Sequence, residues 1–268
     1  MGKITKITKQ VKNDERYNLF IDGKYSFSVD EAILAKFQLR KGLEVDELEI
    51  SELQYEDDVK KAFNKAIQYL AYRMRTEKEI RDHLQEGDPE EGIIQEVIHK
   101  LNEIKYINDL EFSHAFVGTQ MNTADKGPTW IRGELRRKGV GDSHIEEALA
   151  AFTQEKQVDK AVALTEKLLH KYRKDSKMIA KQKIEQNMMR KGYPGSVMKI
   201  VWETVESERD DDERWDAVYH QGLKAHRKLS SKYDGYEYVQ KMKQTLYRKG
   251  FSMEDIERLL EELKENEE

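Results

Sequence analysis

The chain of 268 residues has no cysteine and only three prolines. Without thiols it can form neither a disulfide nor a thiolate metal centre, and a reducing, cytoplasmic location is expected. No stretch approaches the ~18 consecutive apolar residues of a membrane span. The first residues, MGKITKITKQVKN, lack the apolar centre of an export signal. Also missing are a glycine-rich phosphate loop with a following Lys-Ser/Thr, an HExxH pair, a GxSxG elbow and any paired histidine spacing. No enzymatic activity, metal or cofactor is therefore expected. The seven histidines are scattered, and His83, His99, His114 and His144 read as helix-surface residues. The run Asp210, Asp211, Asp212 lacks the interleaved Gly and Asn of a calcium loop and reads as a solvated linker.

What the chain does have is charge, 37% of its residues, arranged in a repeat. Taking Gly139 as origin, Ile131, Leu135, Ile145, Ala148, Leu149 and Phe152 mark one helix face, a break and a second helix face. The same offsets from Gly192 give Ile184, Met188, Met198, Val201, Trp202 and Val205. From Gly250 they give Met242, Leu246, Ile256, Leu259, Leu260 and Leu263, and from Asp88 they give Ile80, Leu84, Ile94, Val97, Ile98 and Leu101. Every slot is apolar in all four copies, although only 38% of the chain is hydrophobic. With origins 51, 53 and 58 residues apart, the chain reads as an elongated tandem array of three-helix repeats. Pro89, Pro128 and Pro194 all fall at predicted breaks.

Residues 1–28 differ, with Asp22-Gly23 between apolar runs predicting a β-hairpin or small three-stranded sheet. Asp30 is expected to cap a short helix, and residues 43–57 to form an acidic connection that allows a short helix beginning near Asp46. Thr76 and Glu79 are expected to form a capping box, and Asn108 or Asp109 to cap the first helix of repeat two. The expected domains are a β-hairpin and short-helix segment over 1–55, then repeats over 56–105, 106–155, 156–209 and 210–268. The first helix of each repeat is expected to lengthen toward the C-terminus, accounting for the growing spacing.

A net charge of −5 argues against nucleic acid as a general partner, but the charge is segregated. Residues 167–191 hold nine Lys/Arg against two acids and 221–250 hold eight against two, whereas 44–58 hold eight acids and no base. Each of Gly139, Gly192 and Gly250 follows a cationic pair: Arg137-Lys138, Arg190-Lys191 and Arg248-Lys249. Cations at a helix C-terminus complement its dipole, which is a purely structural role for any one pair. Three such pairs in stacked modules would also form a basic rim suited to an acidic polymer. Arg73, Arg75, Lys78 and Arg81 form a comparable cluster in repeat one, and Lys126, Arg132 and Arg136 extend the rim in repeat two. Tyr69, Trp130, Trp202 and Tyr238 fit core slots first and base stacking second.

Four stretches carry a family resemblance: YLAYRMRTEKEIRDHL (69–84), KYINDLEFSHAFV (105–117), KGPTWIRGELRRKGV (126–140) and LYRKGFSMEDIERLL (246–260). In this order, after a hairpin, they resemble the regulatory protein RecX family, modulators of the RecA recombinase. The resemblance implies an interaction protein that binds the RecA nucleoprotein filament and limits its growth, ATPase, strand-exchange and coprotease activities. It also implies some affinity for single- or double-stranded DNA, and the chain is expected to act as a monomer. Repeat one departs from the motif, with Glu86-Gly87-Asp88 where the others have Arg-Lys-Gly. The competing expectation is a stand-alone DNA-binding helical-repeat protein whose second helices serve as recognition helices.

Overall fold

The computed structural model describes residues 1–11, 13–205 and 211–265. Strands β1 (Gly2–Lys9), β2 (Arg16–Ile21) and β3 (Lys24–Asp30) form an antiparallel meander. Asp22 and Gly23 both have positive φ, +47° and +82°, the turn whose twist matches that of its strands. The expected sheet gains a fourth strand, β4 (Glu44–Val45), paired with the start of β1, so the order is β3-β2-β1-β4. Between β3 and β4 lies α1 (Glu31–Lys36), where Asp30 accepts from the amide of Ala32 as the sequence predicts.

The acidic stretch after β4 does start a helix at Asp46, but not a short one. A single helix, α2 (Glu47–Leu70), runs through it and across position 55, where the sequence reading ends the N-terminal segment. The reason is local. Asp46 and Glu49 form a capping box, and Leu53 lies buried in the same core as Ile4, Leu19, Val29 and Ile33 of the sheet layer. One of the acids, Asp57, is 2% exposed and ties helix to sheet. Its carboxylate takes hydrogen bonds from the Arg16 guanidinium at 2.7 and 3.2 Å and from the Asp30 amide at 2.8 Å, and Lys61 lies 3.0 Å away. Burial would raise its pKa, but these donors outweigh burial and hold it below the usual carboxylate value.

The rest is four sets of three helices: α2 with α3 (Glu77–Gln85) and α4 (Glu91–Glu103), then α5 (Asp109–Thr123), α6 (Pro128–Arg137) and α7 (Asp142–Leu149), then α8 (Gln154–Lys171), α9 (Lys177–Lys191) and α10 (Gly195–Thr204), and last α11 (Asp211–Leu229), α12 (Gly235–Arg248) and α13 (Met253–Glu265). All template positions are buried except Trp202 and Val205, which pack half-buried against the core of the third set. The first helices that enter the growing spacing, α5, α8 and α11, have 15, 18 and 19 residues and so lengthen as expected, although α2, before the first origin, is longer at 24. The middle helices grow as well, from 9 and 10 residues to 15 and 14. The acidic run 206–210 lies outside the described residues, and α11 begins at Asp211.

Two compact units divide the chain: Met1–Ser113 with Leu135–Ile145, and His114–Glu134 with Glu146–Glu268. Among the described residues no helix is long and apolar enough to cross a membrane. Removing one partner of a buried ion pair leaves the other uncompensated, so Asp57→Ala is expected to cost about 3 kcal/mol. Urea unfolding of the full chain measures this, and Asp58→Ala, on an exposed neighbour, should change stability by less than about 0.5 kcal/mol.

Candidate interaction surface at the helix ends

A helix leaves amides unpaired at its start and carbonyls unpaired at its end. In this chain the middle helices satisfy one another. In the first unit, Thr76 caps α3 by accepting from the Glu79 amide and donates its own hydroxyl proton to the Lys138 carbonyl at the end of α6, 2.7 Å away. In the second unit the Gly127 amide, entering α6, donates to the Lys191 carbonyl of α9 at 2.7 Å, and the Thr129 amide to that of Gly192 at 3.1 Å. There too Ser176, the cap of α9, donates its hydroxyl to the Lys249 carbonyl after α12.

The glycines of the three motifs form the floors of these joints. Gly139, Gly192 and Gly250 have φ of +84°, +88° and +79°, a conformation that L side chains rarely adopt. A Cβ on each would collide with the incoming helix: with Lys78, Trp130 and Met178 respectively. Val140, Tyr193 and Phe251, one residue on, are buried and close the cap.

Within each cationic pair the two residues have different duties. The lysine is half-buried and drawn into the joint: Lys138 to Glu79 at 2.8 Å, Lys191 to Asp125 at 3.3 Å and Lys249 to the amide oxygen of Gln221 at 2.7 Å. The arginine is exposed in all three cases, and Arg190 and Arg248 make no ion pair among the described residues. Lys138 also lies over the Phe112 ring, 5.6 Å from its centroid. Asp109, which the sequence offers as a cap for α5, instead accepts from the Glu77 amide of α3 at 2.9 Å, while Asn108 caps α5.

The remaining rim residues are mostly bound within the chain. Arg132 holds Glu146 through two hydrogen bonds of 2.7 and 2.9 Å, and Arg136 holds Asp142 at 2.7 Å, so both fasten the middle helix to the third. In the first set, Arg73 pairs with Glu79 at 3.0 Å, Lys78 with Asp82 at 2.5 Å, and Arg81 with Glu77 at 2.9 Å. The Arg75 guanidinium stacks on Tyr69 at 3.9 Å, and the other side of the stack is His83, 4.0 Å from Tyr69. Lys126 sits over the Trp130 ring at 4.4 Å. Sequence reasoning marks the cations but misses their partners Asp125 and Gln221, and treats Glu79 only as a cap. A carboxylate or amide gives no periodic signal, because its role depends on which helix end arrives opposite it. Among the described residues no group of three or more His, Cys, Asp or Glu is placed to hold a metal ion.

Together these features define a helical-repeat protein whose modules join through the ends of their middle helices. Models of the RecX N-terminal domain match residues 2–46, of the first three-helix domain 62–101, of the second 108–149, and of the third both 155–202 and 211–260. The chain belongs to the regulatory protein RecX family, its last two modules both being of the third type. It is 48% identical over 263 residues to "Regulatory protein RecX" of Bacillus subtilis and 47% to that of Bacillus velezensis, covering 98% of this chain and 99% of each relative. Among solved structures, "Crystal structure of regulatory protein RecX" superposes with a TM-score of 0.67 at 39% identity, covering 76% of this chain and all of the other. "Crystal structure of RecX from Lactobacillus salivarius" gives 0.54 at 38%, covering 56% of this chain and 98% of the other.

Two measurements test the joints. Gly192→Ala imposes a strained φ and a clash with the α6 backbone, so it should lower stability by about 2 kcal/mol or more, whereas Gly141→Ala, in open space at an ordinary φ, should be near neutral. The second is pH. Burial tends to raise the Glu79 pKa, but Arg73, Lys138 and the Thr76 amide together hold it at about 2. A depressed carboxylate adds stability that is complete above its unfolded value of 4.5 and is lost as pH falls toward 2. After solvent screening this amounts to about 1–2 kcal/mol, and in Glu79→Gln that part of the acid-induced loss should vanish from thermal melts between those pH values.

Proposed function

We propose that this chain is a negative regulator of the RecA recombinase that binds the RecA nucleoprotein filament, as a cytoplasmic monomer. It limits the extension, ATPase, strand-exchange and coprotease activities of the filament. The observation that carries this reading is the repeated arginine. Arg137, Arg190 and Arg248 occupy the same place in three joints, each exposed while the adjacent lysine is held inside. A partner that is itself a polymer offers repeated contact points. Several weak contacts made by one chain then act at high effective concentration, so tight binding needs no single strong site. Near-complete coverage of relatives named as regulators supports a regulatory role over a catalytic one. Of the basic rim, the residues proposed to face the partner are these three arginines. Arg73, Arg75, Lys78, Arg81, Lys126, Arg132, Arg136, Lys138, Lys191 and Lys249 are proposed to support it from within the fold.

The test is filament-dependent ATP hydrolysis by the recombinase with this chain added well below its stoichiometry. Inhibition is expected, and Arg137→Glu/Arg190→Glu/Arg248→Glu should weaken it at least ~10-fold, about 1.4 kcal/mol. No inhibition by the parent chain at any ratio overturns the proposal.

A further inference from the structure

With no cysteine in the chain, its nine methionine thioethers are the only sulfur that a mild oxidant meets. Met188, Met198 and Met242 are core residues, whereas Met1, Met74, Met178, Met189 and Met253 are exposed. Among the exposed ones, Met178 is seated on a joint glycine. It is the second residue of α9, where the start of that helix meets the end of α12. Its Cε and Cβ lie 2.7 and 3.0 Å from the point where a Cβ of Gly250 would stand, and the Ser176 hydroxyl oxygen lies 3.2 Å from the same point. The first joint sets the stem of Lys78 over Gly139, and the second sets the backbone and stem of Trp130 over Gly192. The third puts a thioether there instead. Met178 is at the same time open to solvent, 53% exposed. Beside it a cleft of about 500 Å³ is lined by Ser176 and Gly250. Lys177 and Arg214 line it as well as Glu254 and Asp255, a mixed set that does not repel a small uncharged oxidant.

We propose that Met178 is a reversible oxidation site for hydrogen peroxide, and that its sulfoxide loosens the joint between α9 and α12. The sulfur lone pair attacks one peroxide oxygen. An S–O bond forms as the O–O bond breaks, and the departing hydroxide takes the proton of the transferred oxygen and leaves as water. The sulfur gives up two electrons and the peroxide gains them. A thioether is a weak hydrogen-bond acceptor, whereas oxidation makes the side chain polar. The new oxygen competes for the one hydroxyl proton that Ser176 gives to the Lys249 carbonyl, a bond on which this joint depends. It also needs a hydrogen-bond donor or water in a place that an apolar methyl fills. The assignment does not depend on the recombinase reading, since its readouts are an added oxygen and the stability of the joint.

The experiment treats the full chain with hydrogen peroxide, maps added oxygens by peptide mass spectrometry and follows thermal melts by circular dichroism. Met178 should gain one oxygen as readily as the exposed Met74 and well before Met188, Met198 and Met242 of the core. The melting temperature should fall by at least ~3 °C. Methionine sulfoxide reductases for both epimers, with a thiol reductant, should restore it. Met178→Leu, an apolar swap of similar volume, should fold and lose at least about half of the fall on treatment. Met178→Gln, which brings a polar amide to the joint with no oxidant, should melt below Met178→Leu before any treatment. The proposal is overturned if Met178 stays unmodified while Met74 is oxidised, or if the oxidised parent melts as the untreated chain does. A fall in Met178→Leu as large as the parent's overturns it too, as does equal melting of untreated Met178→Gln and Met178→Leu.

Discussion

Helix termini in water solvate their loose amides and carbonyls; helix termini inside a protein need partners. The fold turns this requirement into its means of assembly. The start of one middle helix, rich in donors and at the positive end of its dipole, is placed on the end of the next one, rich in acceptors and negative. Thr76 on Lys138, Gly127 on Lys191 and Ser176 on Lys249 are three solutions to one problem, using a hydroxyl twice and a bare amide once. Only glycine offers the left-handed turn and the missing Cβ that let the two backbones approach, so the motif cannot drift at that position.

The division of labour within the cationic pairs follows from the same geometry. A residue next to the glycine lies over the incoming helix, so its charge is partly desolvated and must find a partner there. Lysine suits this place because its long apolar stem lines the joint while its ammonium reaches Glu79, Asp125 or Gln221. One position earlier the helix has turned by about 100° and the side chain points to solvent, where the fixed planar fork of arginine can serve a partner outside the chain. A chain with a net charge of −5 still presents exposed cations such as Arg190 and Arg248, while acids such as Asp57 and Glu79 are paired within the fold.

Much of this is legible in the amino-acid sequence. The apolar template identifies the middle and third helices of all four modules, because a helix that packs on one face must repeat its apolar residues at 3.6-residue spacing. Asp22-Gly23 marks the hairpin, and the Asp30 and Thr76 caps hold in the structure. What is not legible depends on distant residues. The stretch 44–58 reads as a connection with no more than a short helix because eight acids hide the apolar Leu53 and because nothing local reveals that Arg16 will meet Asp57. Strand β4 has two residues and no periodicity of its own; it exists because β1 has an open edge beside it. The cations stand out in the sequence and their roles do not, since whether a basic residue faces outward is decided by the module that precedes it.

The departure in the first module has a physical cause. Glu86-Gly87-Asp88 replaces Arg-Lys-Gly in the module that follows the sheet rather than another three-helix set, so no middle-helix start arrives there. The end of α3 is finished locally instead: Lys65 from α2 donates to the His83 carbonyl at 3.0 Å, Asp88 takes the left-handed position at φ +51°, and His83 stacks on Tyr69. A head-to-tail joint is a heterologous contact, and a chain that ended with both of its halves open would be able to add further copies without limit. By satisfying the carbonyls of α3 from within the module, the sequence withholds the acceptor half of the joint at that position. The same need for partners at helix ends thus accounts for the motif where a neighbouring helix start arrives and for its absence where none does, and the missing Arg-Lys-Gly is as informative as the three that are present.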